Sequence, residues 1–305
     1  MKKIILIDGN AILHRAFHAL PPLKNPQGIA VNAVYGFAST LMHLIESEKP
    51  DFVGVAFDTR AKTFRHEEYV EYKATRVKAP DELYAQIPLI KEMLAEFNVC
   101  VFEKDGFEAD DVLATIAVKA EKQNIQTYIV TGDMDVSQLI NENIFVLTPE
   151  KGLKTYITYD QNKVFERYQI RPDQIVDYKG LKGDSSDNIK GVAGVGEKSA
   201  IALLQKYQTI ENIYKNVEEI KGSLKEKLKN GEASAYFSKK LAQLIKDVPI
   251  DLDFEKCEVE KLNVDGLKKF FEKNRFTSLL KRVNSLDYLQ QKSCYNSSES
   301  QQCLF

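Results

Sequence analysis

Nine carboxylates, several of them placed where an apolar run stops, are the residues of this chain best able to do chemistry. Asp8 lies in ILIDGN, Asp58 in VAFD, and Glu108, Asp110 and Asp111 in GFEADD; Asp133 and Asp135 lie in VTGDMD, and Asp184 and Asp187 in GDSSDN. Each carboxylate added to a cluster raises the cost of ionising its neighbours, so a fold gains no stability by gathering them. If they converge, a strong positive charge must sit among them, and oxygen-bound divalent metal ions are the usual source. The chemistry this points to is metal-dependent attack on a phosphate ester. A single acid at a helix start has a plainer explanation, as a cap or a partner of the helix dipole. That explanation suits Asp110 alone, but three acids within four residues exceed what capping needs.

The elements that must position these acids can be read from the apolar pattern. Residues 3–8 read as a buried strand ending at Asp8 and a Gly9-Asn10 turn, and residues 51–58 repeat the strand-then-acid pattern. Residues 98–103 are strand-like, and 126–133 form another strand that ends in an acid. Helical spacing covers 33–45, 83–97 and 109–122. Strands alternating with helices predict an α/β fold, with a mostly parallel central sheet and helices on both faces. In such sheets the binding crevice lies beyond the carboxyl ends of the strands. Asp8, Asp58 and Asp133 take that position on three strands, and residues 108–111 open the helix after a fourth. After about residue 155 the pattern changes to two short helices split at Arg171-Pro172, then GDSSDN, then charged, mostly helical segments. The expected organisation is an α/β domain over 1–180, a helical region over 181–285, and a polar, disordered tail over 286–305.

Two further stretches could grip a polyanion. Residues 60–80 interleave Arg60, Lys62, Arg65, Lys73, Arg76 and Lys78 with Phe64, Tyr69 and Tyr72. Basic groups hold phosphates and aromatic rings stack on unpaired bases, although Glu67, Glu68 and Glu71 also suit a solvated amphipathic helix. Gly191, Gly194 and Gly196 precede a helix, with Lys198 beside them. Such a loop can turn backbone N–H groups towards a phosphate. It matches neither a P-loop nor a dinucleotide fingerprint, and its place after GDSSDN favours a DNA-backbone clamp. Arg15 follows the first strand closely enough to reach a phosphate held near Asp8, while His14 is given no catalytic role.

Composition narrows the classes. The chain has 305 residues, 44% of them hydrophobic, with no basic apolar leader and no run near membrane-spanning length. It is expected to be soluble and cytoplasmic, with no membrane partner. Its four cysteines are scattered, which suits reduced thiols and excludes a zinc ribbon or disulfide framework. The net charge of −2 becomes +7 once the nine carboxylates are set aside as metal-neutralised, so bulk charge does not exclude nucleic acid.

Together these residues resemble the 5′-nuclease (flap endonuclease) family, and specifically its 5′→3′ exonuclease domains of bacterial DNA polymerase I, as a chain without the polymerase domain. The matching stretches are LIDGN, FHALPPL, VYGF, VAFD, TFRHE, YKATR, EADDVL, TGDMD, GDSSDNI and GVGEKSA, in the family's order from residue 3 to about 283. The resemblance implies a PIN-like sheet, a flexible arch at about 60–85, and a helix–hairpin–helix-type element within 181–285. It implies two Mg²⁺ (or Mn²⁺) ions held by the nine acids and straddling the scissile phosphodiester about 4 Å apart. Asp8, Glu108, Asp110, Asp111 and Asp133 would serve the tighter ion and Asp135, Asp184 and Asp187 the second, with Asp58 orienting ligands or water. A potassium ion can sit in the loop matching 191–196. Lys73, Arg76 and Arg15 would stabilise phosphate charge, and Phe64, Arg65, Tyr72, Lys78, Gly191, Gly194, Gly196 and Lys198 would contact DNA.

The implied substrates are DNA with a 5′ flap, nick or 5′ end, and RNA primer–DNA junctions, during replication and repair. The implied setting is a nucleoid-associated monomer working beside a separate polymerase and ligase. His14 stands where many relatives carry tyrosine, Met134 replaces a common lysine and Ala193 a common proline. Two other classes compete. A junction-binding protein without catalysis would show degenerate acids, and none of the nine is missing. An RNase on the same sheet would have no use for the glycine-rich loop and the basic arch.

Overall fold

A computed structural model describes residues 1–153 and 155–286. Strand β1 (Lys2–Asp8) is the apolar run at the start of the chain. Ile4 and Leu6 point into one core and Ile5 and Ile7 into another, so the run from Ile4 to Ile7 is apolar because both faces are covered. Helix α1 (Gly9–Ala19) follows directly. Gly9 and Asn10, expected as a turn, are its first residues, and Asp8 caps it by accepting the Ala11 N–H at 3.0 Å.

Helix α2 (Asn32–Glu48) and strand β2 (Phe52–Ala56) lead to short helices α3 (Phe64–Glu68) and α4 (Asp81–Tyr84), then α5 (Ile87–Glu96). The single helix expected over 83–97 is therefore two. Pro88 sits at the second position of α5 and has no N–H to carry a helix on from Tyr84. Gln86, buried in the break, accepts the Ala33 N–H and donates to Asn32, which fixes the start of α2.

Strand β3 (Cys100–Phe102), helix α6 (Ala109–Lys122), and strands β4 (Ile125–Val130), β5 (Ile144–Pro149) and β6 (Tyr156–Tyr159) complete one sheet. Its order is β3-β2-β1-β4-β5-β6, parallel throughout except for β6, which runs antiparallel on the edge. The mostly parallel sheet with helices on both faces is as the sequence predicts, and β5 and β6 are additions to it.

The rest is helical: α7 (Gln161–Tyr168), α8 (Ile175–Lys182), α9 (Glu197–Tyr207), α10 (Ile210–Lys215), α11 (Ser223–Ala242), α12 (Val264–Lys273) and α13 (Thr277–Val283). These helices have no core of their own. Leu181, Leu204 and Leu228 share a core with Val112 of α6 on one sheet face, while Phe271 and Leu279 join Phe37 and Leu94 on the other. The division expected near residue 180 thus falls inside continuous packing. Beyond Leu286 the tail expected over 286–305 lies outside the described residues. Among the described residues no helix is long and apolar enough to cross a membrane.

Candidate metal centre

Strands β1 and β4 are neighbours although far apart in sequence, because the chain builds outward to β3 and then returns to the other side of β1. Helices cannot cover the sheet end where the winding reverses, so a crevice opens there. In this molecule it is a cleft of about 800 Å³ whose walls include Asp8, Asp58, Glu108, Asp110 and Asp133 together with Lys73 and Arg76. The Thr131 hydroxyl ties the two strand ends together: it donates to Asp8 Oδ2 at 2.7 Å and accepts the Asp133 N–H at 3.0 Å. Asp58 braces two helix starts, accepting the Ala109 N–H at 2.7 Å and the Asn10 amide at 3.0 Å.

The nine acids fall into two groups by how their charge is met. Among the described residues no Lys or Arg is ion-paired with Asp8, Asp58, Asp110 or Asp133. Burial pushes the Asp8 carboxyl up to about 6, and the nearby Asp58 and Asp133 add to the shift. Asp110 is held well above the usual carboxylate range, first by burial and then by Asp133 and Asp8. Among the described residues, no three His, Cys, Asp or Glu side chains stand close enough together to grip an ion as they are. The donors are all oxygen and their charge is unmet, which fits a hard divalent cation and not a soft one.

The second group carries its own cations. Lys73 Nζ meets Glu108 at 2.7 Å, Arg76 meets Asp187 at 2.6 Å, and Lys179 bridges Asp135 and Asp184. The Tyr72 hydroxyl donates to both Glu108 (3.1 Å) and Asp187 (3.0 Å). Lys73 has a left-handed backbone (φ 55°), a conformation costing a non-glycine residue about 1–2 kcal/mol. Its N–H donates to the Asp187 carbonyl at 3.0 Å, so this contact holds it in place. The GDSSDN segment closes on itself through paired backbone bonds between Asp184 and Ile189. Gly183 (φ 81°) and Gly191 (φ 63°) back onto each other there: a Cβ on Gly191 would lie 2.2 Å from the Gly183 nitrogen.

Several expectations change. Asp111 does not face the cleft; it is fully buried and grips Arg65 with both oxygens, at 2.7 and 2.8 Å. It also accepts the N–H groups of Ile245 and Glu108. Arg65, expected on DNA, is 1% exposed; besides Asp111 it donates to the carbonyls of Leu241 and Gln243 and lies over the Phe64 ring. Tyr72 is likewise buried beneath the cleft, with no open face for stacking on a base. The arch segment is therefore pinned to the carboxylates, with Val77 and Lys78 left exposed beyond them.

Arg15 donates to the Gly152 carbonyl and does not line the cleft. Gly191 is buried, donating to Ser238 and accepting from Ser234. Gly194, Gly196 and Lys198 are exposed outside the cleft, and Lys227 Nζ donates to the Gly194 carbonyl at 3.1 Å. Lys179, Asn10 and Thr131 went unnoticed in the sequence. Thr131 and Asn10 each sit two residues from an acid, which was signal enough. Lys179 reaches Asp184 only because α8 ends at Gly183, which no spacing reveals.

Comparison with known proteins gives consistent matches over this architecture. Residues 3–169 match the family model for the 5′-3′ exonuclease N-terminal resolvase-like domain, and 170–265 match that for the 5′-3′ exonuclease C-terminal SAM fold. DNA polymerase I of Bacillus subtilis is 42% identical over 92% of this chain but only 32% of its own length. DNA polymerase I of Caldicellulosiruptor bescii is 41% identical over 94% of this chain and 34% of its own. The chain thus spans about a third of the length of these curated relatives. Among solved structures, a bacteriophage T5 flap endonuclease in a pseudo-enzyme–product complex with DNA and metal ions superposes with a TM-score of 0.66 at 19% identity, over 93% of this chain and 99% of its own. The catalytic core of Rad2 in complex with DNA substrate gives 0.57 at 15% identity, over 96% and 92%. At these identities the two structures establish the fold alone.

Proposed function

The chain belongs to the 5′-3′ exonuclease family, and on that premise we propose that it is a metal-dependent, structure-specific nuclease. It would hydrolyse DNA phosphodiesters at 5′ ends, nicks and 5′ flaps, and at RNA primer–DNA junctions. The observation that carries this reading is that Asp8, Asp110 and Asp133 line one cleft and, among the described residues, none of them is ion-paired with a Lys or Arg, although Lys73 and Arg76 line the same cleft. A fold that pairs Glu108, Asp111, Asp135, Asp184 and Asp187 with its own Lys and Arg, and among the described residues leaves Asp8, Asp58, Asp110 and Asp133 without such a pair, is arranged for a cation from outside.

On this reading Asp8, Asp110 and Asp133, with Glu108, hold one Mg²⁺ or Mn²⁺, and Asp135, Asp184 and Asp187 hold a second. Asp58 acts one step back, fixing the start of α6. Such ions, when bound, acidify a water and offset charge on the phosphodiester. The chain's own residues do the rest. Lys73 and Arg76 line the cleft in contact with Glu108 and Asp187, and a substrate phosphate competes with those two acids for them. His14 and Tyr84 pack edge-on at 6.4 Å on the cleft wall, a suitable surface for the terminal nucleotide. Asp111 and Arg65 carry no chemistry; they hold α3, the start of α6 and the end of α11 in register.

The exposed Gly194, Gly196 and Lys198 would follow the duplex backbone, where a potassium ion is the expected companion. The same reading makes the molecule a cytoplasmic, nucleoid-associated monomer that takes substrate from a polymerase and leaves nicks for a ligase. The test is a 5′-labelled flap duplex with Mg²⁺ and with EDTA. Release of a short 5′ fragment only with Mg²⁺, falling about a thousandfold in Asp133→Ala while DNA binding persists, is the expected result. Tight binding without cutting by the unaltered chain would replace this reading with the junction-binding one.

A further inference from the structure

Among the described residues, Lys179 is the one Lys or Arg ion-paired with two acids assigned to the second ion. Its ammonium bridges Asp135 and Asp184, at 2.5 Å from the latter, and its side chain is only 12% exposed. The bridge is built in. Gly183 (φ 81°) ends α8 and turns the chain back, so that Asp184 faces the helix turn carrying Lys179. Asp184 is fixed from the other side by the Ser186 N–H and hydroxyl. Lys179, Asp135 and Asp184 line one small recess of about 280 Å³ with Tyr168, Ile175 and Tyr178, which leaves the lysine stem room to move. Asp187, whose charge also reaches Asp135, is engaged by Arg76 and Tyr72.

We propose that Lys179 is a resident, displaceable cation of the second metal position, and that it makes occupancy of that position depend on substrate. An ammonium and a divalent ion cannot share the same two carboxylates at contact distance without strong repulsion. In the substrate-free chain Lys179 therefore neutralises the pair and holds the second ion's affinity low. A bound phosphate adds the negative charge that lets the ion enter and Lys179 swing aside. At the first position Lys73 meets Glu108 alone, and among the described residues no Lys or Arg is ion-paired with Asp8, Asp110 or Asp133, so its ion binds first and without DNA. Lys179 acts here as a positioning residue through the ions. The idea rests on the metal-dependent reading above.

The experiment is Mn²⁺ binding to the full chain, followed by electron paramagnetic resonance and calorimetry, for the unaltered protein, Lys179→Met and Lys179→Arg, without and with an uncleavable flap duplex. The unaltered protein should bind one ion tightly and a second weakly. Lys179→Met should tighten the second by about tenfold or more, an effect of the size expected from removing one close like charge. Lys179→Arg should resemble the unaltered protein, and DNA should raise second-ion affinity less in Lys179→Met than in either. An unchanged or weakened second ion in a folded Lys179→Met would overturn the proposal. Complete absence of Mn²⁺ binding by the unaltered protein would instead overturn the metal reading beneath it. If Lys179→Met does not fold, the ¹³C-methylated lysine spectrum of the unaltered protein decides, with Lys179→Arg identifying the resonance. That signal must move with the second ion, and movement with the first ion or none would refute displacement.

Discussion

Asp110 and Asp111 are adjacent in sequence and opposite in situation. Asp110 lines the cleft with Asp8 and Asp133 and among the described residues has no ion-paired partner, while Asp111 turns inward onto Arg65 with bidentate geometry. A fold can meet a concentration of negative charge with its own cations or leave the charge for a ligand. The first choice contributes to the structure whatever the solution contains. The second leaves the metal-free protein strained and makes metal a stabiliser. The same division separates Asp8 and Asp133 from Glu108, Asp135, Asp184 and Asp187.

The largest way to test that contrast is to remove each carboxylate in turn. Asp111→Ala strands a buried guanidinium, and breaking a buried pair from one side costs about 3–5 kcal/mol. At about 2–4 °C per kcal/mol for a chain of this size, the melting temperature should fall by roughly 6–20 °C, with or without Mg²⁺. Asp110→Asn removes a carboxylate that its neighbours already disfavour, so metal-free melting should hold or rise while the gain from Mg²⁺ disappears. Both are read from thermal unfolding with and without the ion. A fall of equal size in both variants would erase the distinction.

A second test uses pH. Unfolded aspartate ionises near 4, whereas Asp8 in the folded, metal-free chain ionises at about 6. Between those values the folded state keeps a proton that the unfolded state has released, so this group favours folding at low pH and loses that contribution as pH rises through 6. A divalent ion needs the ionised form, and the sign therefore reverses for binding. The Mg²⁺-induced rise in melting temperature should be larger at pH 7.5 than at 5.5. Equal rises at both would show that the unmet acids do not bind the ion.

The sheet and its acid-bearing edge were legible because a parallel strand covered on both faces carries an apolar run, as β1 does over Ile4–Ile7, β2 throughout and β4 at Tyr128–Val130. Convergence of Asp8, Asp58 and Asp133 followed from strand order alone. Partnering was not legible. Nothing in TFRHE says that Arg65 turns into the core, because that depends on α11 ending at Leu241 and Gln243, far along the chain. Asp111 reads as one more acid in EADD, and only the facing direction set by α6 separates it from Asp110. Strands β5 and β6 were not anticipated, lying in a stretch that carries no acid motif.

The smallest expected effect lies away from the acids and tests whether the second half of the chain has a different task from the first. Lys198 is exposed at the start of α9, outside the cleft, and among the described residues no ion pair restrains it. If the loop follows a duplex backbone, Lys198→Ala removes about one phosphate contact. Binding should weaken a few-fold regardless of sequence, and the slope of log affinity against log salt should become shallower by about one. Melting temperature should not move, since the side chain is exposed, and the cleavage rate at saturating DNA should stay near that of the unaltered chain. A changed rate with an unchanged salt slope would place Lys198 at the chemistry instead, and the contrast between an acid-lined cleft and a separate backbone-gripping loop would have to be redrawn.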